Sequence, residues 1–473
     1  MTPSTHVTEA QAARYTQTRR LSIKEGAGAT VMSSVGEAYI VPYAIELQAQ
    51  NVQLGILSSL AALLGPIAQI FGSRLIERFH RKQIVFVSVL LQASTWLLFI
   101  GLGLWFLRHG PAPYLFPLLA IAYVLYALFG ALSGPAWFSL IGDAVPEKLR
   151  SRYFARRNWL LGFVSVGSTL LGALWLHAWR DSGLIIGFIG LFIVAGLGRL
   201  VSAYYLRQHH VLPIHLDRDY YFSFWRFVKK IPHYNFNRFT LYVSLMNFST
   251  GVAGPFFAVY LWKELKFNPI WYTAVIVSGS VSLFLFSPLW GRFADRYGNR
   301  ELLRLGSLIV IPVPLFWLIS QRPLFLMFVP QLLAGMGWSA FLLASSNFIY
   351  DSIEPSRRAL CVAYYNLLGG IGTFCGALLG GLLTQYVHLS FINVFFLIFI
   401  ISSVLRLLVT SLVLPHVREV RTEHHPGGLN PLYYLKEIKP LEGSFWDNIY
   451  PLKLSRLIRR SRCPEPAPVR TEK

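Results

Sequence analysis

The sequence predicts an all-α integral membrane protein with twelve transmembrane helices in two six-helix bundles of parallel repeat. Three observations carry that expectation: an interior-like composition, a one-sided distribution of basic residues, and a chain that repeats itself at a spacing near 208. Hydrophobic residues make up 54% of the 473 positions and charged residues only 14%, whereas a soluble domain carries about 25% charged residues. The mean hydropathy is +0.48. Such a chain cannot clothe itself in polar surface, and its natural unit is the bilayer-crossing helix of about 20 apolar residues. Apolar runs of that kind fall at 28–49, 53–73, 84–107, 113–142, 158–179, 183–206, 239–262, 270–290, 301–320, 323–350, 364–387 and 390–414.

These runs divide the chain into an arm at 1–27, a first bundle at 28–206, a linker at 207–238, a second bundle at 239–414 and a basic tail at 415–473. The arm holds Arg14, Arg19, Arg20 and Lys24 but no apolar core of a secretory signal, so the first span is expected to act as the targeting signal. The linker carries aromatic and basic residues in alternation, among them Tyr220, Tyr221, Trp225, Arg226, Lys229 and Lys230. It is expected to form an amphipathic helix on the membrane surface. The stretch Leu452 to Arg460 of the tail reads the same way.

The net charge of +21 would raise the question of nucleic acid in a soluble protein; its placement answers it. With the N-terminus in the cytoplasm, 36 of the 43 Lys and Arg residues fall on that side and five on the other, namely Arg108, Arg180, Lys263, Lys266 and Arg322. Two more, Arg199 and Arg406, lie within helices. The asymmetry predicts two cytoplasmic termini and contact with anionic membrane lipids, and nucleic acid is not expected as a partner. Cys361, Cys375 and Cys463 stand far apart, with neither a metal-ligand spacing nor a disulfide framework; no cofactor is expected.

Asp143, Arg150, Ala155 and Asn158 return as Asp351, Arg358, Ala363 and Asn366, each 208 positions later, and Arg199 returns as Arg406. The pair Glu77 and Arg78 returns as Asp295 and Arg296. Six spans therefore map onto six in the same orientation, the kind of repeat that encloses a central pathway.

At this point the sequence resembles the major facilitator superfamily of secondary transporters, in its bacterial type, over about residues 28–414. The most specific piece is Gly291-Arg292-Phe293-Ala294-Asp295-Arg296-Tyr297-Gly298-Asn299-Arg300 between spans 8 and 9, which is similar to the superfamily's loop motif. The first-half copy around Glu77 and Arg78 has Ser73 and His80 where glycines are expected. The resemblance implies alternating access, with Glu77, Arg78, Asp143, Arg150, Asp295, Arg296, Asp351 and Arg358 forming a cytoplasmic gate of state-dependent ion pairs. The plainer reading of the bases is that they set topology.

Glu37 lies near the middle of the first span, and an ionisable group there costs at least about 2.5 kcal/mol to insert. It is expected to carry a proton or bind substrate, the alternative being a structural hydrogen bond to a neighbouring helix. Arg199 and Arg406 are expected to snorkel to the headgroups. By resemblance, spans 1, 4, 7 and 10 line the pathway, which nominates Tyr43, Tyr123, Trp137, Asn247, Thr250, Gln331 and Trp338 as a substrate cavity. Amides, hydroxyls and large rings suit a small neutral or amphipathic organic solute. A bacterial plasma-membrane location, a monomeric state and possible proton coupling complete the expectation, and enzymatic activity is not expected. Rival readings are a multidrug-type efflux antiporter and a polytopic receptor or lipid-handling protein.

Overall fold

The computed structural model describes residues 9–75, 79–145, 147–209, 224–353, 355–387 and 393–420. These residues cross the bilayer twelve times. Helix α1 runs Glu9–Val35, breaks through a short 3₁₀ turn at Glu37–Tyr39, and resumes as Ile40–Glu46. Helices α2 to α6 span Asn51–Leu75, Arg81–His109, Leu115–Ala144, Glu147–Ala178 and Leu184–Arg207. Helix α7 is Asn235–Val259 with a wide π turn at Tyr260–Glu264, and α8 is Pro269–Tyr297. Helix α9 joins Asn299–Val310 to Val313–Phe316, and α10 runs from Pro323 through a π turn at Met327–Gln331 into Leu332–Ser352. Helices α11 and α12 are Pro355–Tyr386 and Val394–Leu412.

Nine of the described helices are long and apolar enough to cross a membrane unaided. The other three crossings, α1, α7 and α9, have physical reasons for falling short of that standard. Polar residues crowd α7, from Asn235 to Thr250, and Pro312 and Pro314 interrupt α9, because a ring nitrogen cannot donate the i→i−4 bond. In α1, Gly36 lies directly against the Trp96 ring of α3. No side chain fits between them, and the helix changes pitch at that point.

The two halves pack alike. Helix α1 lies against α5 and α6, α2 against α4, and α3 against α4 and α6; in the second half, α7 lies against α11 and α12, α8 against α10, and α9 against α10 and α12. The seams between halves are also paired, α2 with α11 and α5 with α8. Even the backbone repeats: after α1, Gln48 takes φ 64°, and after α7, Lys266 takes φ 50°, a left-handed conformation uncommon outside glycine. The repeat read from charges is thus a repeat of packing.

Local chemistry fixes the helix starts. Asn268 caps α8 by accepting from the Trp271 N–H at 2.8 Å, with Pro269 at the first helical position, and Asn393 caps α12 through the Phe395 N–H at 2.9 Å. Between α8 and α9 the only joint is Gly298, at φ 86° and ψ 166°. A side chain is strained there, which explains the glycine of the loop motif. In the first half His80 sits at φ −63° and ψ 129°, an extended geometry any residue adopts.

Helix α1 begins at Glu9, well before the apolar run that announces it, and its early turns belong to the bundle. Thr18 and Ser22 are fully buried, and the Tyr153 hydroxyl of α5 donates to the Arg19 carbonyl at 3.0 Å. The linker helix is Phe224–Lys229, with Phe227 buried and Trp225 exposed; Tyr220, Tyr221 and the tail segment Leu452 to Arg460 lie outside the described residues.

Arg199 and Arg406 do not snorkel. Both are buried in their bundles, at 7% and 2% exposure. Arg406 donates to the Val310 carbonyl at 2.9 Å, and Arg199 reaches Ser202 at 3.4 Å. Each points inward because its helix presents that face to the bundle centre, and the position two turns from the helix end that suggested snorkelling does not set side-chain direction.

Candidate functional site

The break in α1 delivers Glu37 to the centre of the first half. Its carboxylate accepts a hydrogen bond from the Tyr126 hydroxyl of α4 at 2.9 Å. Tyr126 in turn stacks on Tyr123, with ring centroids 6.0 Å apart, and meets Trp96 edge-on at 5.2 Å. Protein surrounds Glu37, yet the residue itself is exposed. Of the nominated residues, Glu37 and Tyr123 come together here, with Tyr126 between them.

Tyr43 does not join them. It is fully buried, donates to the Phe99 carbonyl at 2.9 Å and packs on Phe188 and Phe192. The 3₁₀ turn at Glu37–Tyr39 separates it from Glu37 and rotates the face that follows; Tyr39 instead reaches across to the second half. Trp137 is turned toward the basic end of the bundle, where its indole N–H donates to Glu25 at 3.1 Å.

In the second half, Thr250 returns its hydroxyl to the Met246 carbonyl at 2.8 Å, a back-bond that uses its one donor and leaves its lone pairs to accept. Asn247 lies against Gly369 of α11, Gln331 presses its carboxamide on Gly279 of α8, and Trp338 meets Phe341 edge-on at 5.3 Å. All four are partly exposed.

Sequence reading missed Glu25. The residue is 4% exposed and accepts from Trp137, from Ser202 at 3.3 Å, and from Arg157 as an ion pair at 3.8 Å. The signal was present: an acid in a basic stretch, followed by Gly26 and Gly28, which let α1 touch its neighbours. A methyl on Gly28 would sit 2.6 Å from the Gly198 carbonyl of α6.

Hydrogen bonds between the halves, among the described residues, gather at the face opposite the basic loops. The Trp262 indole donates to Glu46 at 2.9 Å, Gln385 to Gln50 at 3.2 Å, and the Tyr39 hydroxyl meets Thr273 at 3.1 Å. Lys263 approaches Asn51 at 3.5 Å. A hydrogen bond to a charged group contributes about 1.5–3 kcal/mol, so Trp262→Phe is expected to shift the balance between open and closed forms of this face by at least about tenfold. Cysteine labelling of positions lining the far face measures it; unchanged labelling rates would remove the clasp from the account.

Of the gate residues, Glu77 and Arg78 lie outside the described residues, as do the side chains of Asp143, Arg150, Asp295, Arg296 and Arg358. Asp351 is described. It accepts from the Asn299 amide at 2.7 Å, and Asn299 accepts from Asn347 at 3.0 Å. Asp351 thereby ties the end of α10 to the loop motif within its own half. Asp351→Ala is expected to cost about 1.5–3 kcal/mol and to lower the melting temperature measurably; an unchanged melting curve would mean that the amide finds another acceptor.

Relatives agree with this architecture. The vacuolar basic amino acid transporter 2 of Saccharomyces cerevisiae is 28% identical over 168 residues, covering 36% of this chain and 34% of that protein. A Na(+), Li(+), K(+)/H(+) antiporter of Planococcus maritimus is 29% identical over 126 residues, 27% of this chain and 28% of the antiporter. The chain spans about a third of the length of the curated relatives it matches. The nucleoside transporter NupG superposes with a TM-score of 0.62 at 12% identity, over 86% of this chain and 99% of that one. A bacterial homologue of the iron transporter ferroportin, solved in an inward-facing state, gives 0.62 at 16% identity over 86% and 99%. At these identities the likeness is one of fold. The profile described as Major Facilitator Superfamily matches residues 27–245 and again 239–461, once for each six-helix half, and the chain belongs to that superfamily.

Proposed function

We propose that the protein is a secondary active transporter that moves a small organic solute across the membrane by alternating access, with Glu37 as the group that carries a coupled proton. The observation that supports this most is the placement of Glu37: a carboxylate at a helix break, held by one hydroxyl donor and left exposed. A discontinuous helix at that depth is where transporters of this build place ion and substrate sites. On the spans that line the pathway in this superfamily, Tyr123, Asn247, Thr250, Gln331 and Trp338 supply rings, amides and a hydroxyl, which fits a neutral or amphipathic solute. With the basic loops in the cytoplasm, the clasp at Glu46 and Trp262 closes the outside and the solute exchanges with the cytoplasm.

The named relatives carry amino acids or cations, and they support transport as the activity without fixing the cargo. Uptake of a broad solute library into proteoliposomes, with and without an imposed proton gradient, tests the reading. Gradient-dependent accumulation of at least one solute is expected. A chain that moves none of them under any gradient is not a transporter of this class.

A further inference from the structure

We infer that the first bundle holds an anion site, built by Arg199 and Arg157 beside Glu25 and suited to a small carboxylate. This does not rest on the transport reading, since binding alone is at issue. The place is a cavity of about 220 Å³ between α1, α3, α4, α5 and α6, on the basic side of Glu37. Its polar wall is Glu25, Arg157, Arg199 and Ser133, and Val85 and Val89 are among its apolar lining.

The two guanidiniums have far more donors than partners. Each carries five N–H groups. Arg199, 7% exposed, makes one long contact of 3.4 Å to Ser202, and its Nε has no partner. Arg157 donates to the Ser22 carbonyl at 3.4 Å, approaches Glu25 at 3.8 Å and lies over the Trp137 ring at 4.6 Å. Buried polar groups are normally satisfied, and a buried cation without a full complement of acceptors is costly. Among the described residues that line the cavity there are two cations and one carboxylate; the other carboxylate within electrostatic reach of Arg199, Glu37, lies outside the cavity and is held by Tyr126. A planar carboxylate of two or three carbons fits the volume and can take paired N–H donors from a guanidinium fork.

The repeat provides an internal comparison. Arg406 is the second-half counterpart of Arg199, is equally buried and likewise has an Nε without a partner, but it bonds the Val310 carbonyl at 2.9 Å. Arg199 has instead a second arginine, an acid and open space. A purely structural arginine would need none of the three.

The test is thermal unfolding of the full-length protein in lipid nanodiscs, with acetate or propionate replacing a bulky sulfonate at constant ionic strength. A ligand bound only by the folded state raises the melting temperature in a saturable way. Wild type is expected to show such a rise, Arg199→Gln and Arg157→Gln to lose it, and Arg406→Gln to keep it. Glu25→Gln is the decisive variant, because the native carboxylate competes with the ligand for the same donors; its removal is expected to tighten apparent binding about tenfold. If the arginine variants do not fold, wild type against Glu25→Gln still decides. Absence of a saturable rise in both, or an equal rise in wild type and Arg199→Gln, overturns the site.

Discussion

Glu37→Gln is expected to abolish solute accumulation driven by a proton gradient while leaving exchange of solute across the membrane intact. The substitution keeps the side chain's size and its acceptor for the Tyr126 hydroxyl, now 2.9 Å from the carboxylate, and removes only the ability to bind and release a proton. Moving one proton per solute down a gradient of one pH unit is worth about 1.36 kcal/mol and sustains about a tenfold concentration ratio. For the variant that ratio is expected to collapse to about one, since the driving force no longer reaches the solute. Counterflow, in which labelled solute exchanges for unlabelled without net movement, needs no coupling and is expected to survive. Accumulation that persists unchanged in the variant would remove Glu37 as the proton carrier; loss of exchange as well would make it a binding or structural residue.

The location of Glu37 also relates it to the clasp at the far face. Tyr39 lies two residues beyond it and meets Thr273 of the other half at 3.1 Å, and its hydroxyl also bonds the Thr169 carbonyl of α5 at 2.8 Å. A change of charge at Glu37 therefore acts on the same short 3₁₀ turn that carries a contact between the halves. The coupling needs no long path, because site and clasp share one break in one helix.

How much of this was legible in the sequence depends on the kind of signal each feature leaves. Crossings and repeat were legible because hydrophobicity and basic charge are additive along the chain, and Asp143 with Asp351 or Arg199 with Arg406 needed only a shared spacing. Glu37 stood out because an acid in an apolar run has few neutral explanations. Glu25 did not, because the apolar run begins after it and Arg19, Arg20 and Lys24 made the segment look solvated; only the packing of α1 on α5 and α6 shows that these turns are inside. The same limit governs Tyr43. It was nominated by its place on the first span, and Gly36 against Trp96 breaks that helix ahead of it. The glycines of α5 mark a third case: a glycine-rich helix suggests close packing, yet Gly162 and Gly167 have open space around them.

In helix α11 the glycines do pack closely, and they give the second large effect. Gly372, Gly376 and Gly380 abut backbone carbonyls of Ser244, Phe248 and Val252 on α7, and on another face Gly370 and Gly381 abut Ala62 and Val52 on α2. The first set knits the second half together; the second set forms the seam between halves. At Gly370 an added methyl would overlap the Ala62 carbonyl oxygen, and backbone cannot rotate aside as a side-chain tip can. Gly370→Ala is therefore expected to force α2 and α11 apart at a cost of about 1–3 kcal/mol, despite alanine's better helix propensity. Thermal unfolding in nanodiscs reads the loss. Transport is expected to fall further than stability does, because the halves must slide past one another along this seam. Gly101→Ala on α3 is the control: nothing lies within 4 Å of the added methyl, so the gain in helix propensity of about 0.5–1 kcal/mol is expected to leave that variant as stable as wild type or slightly more so. Equal melting temperatures for the two variants would show that the seam yields to a methyl, and that the close approach of α2 and α11 is not what holds the halves in register.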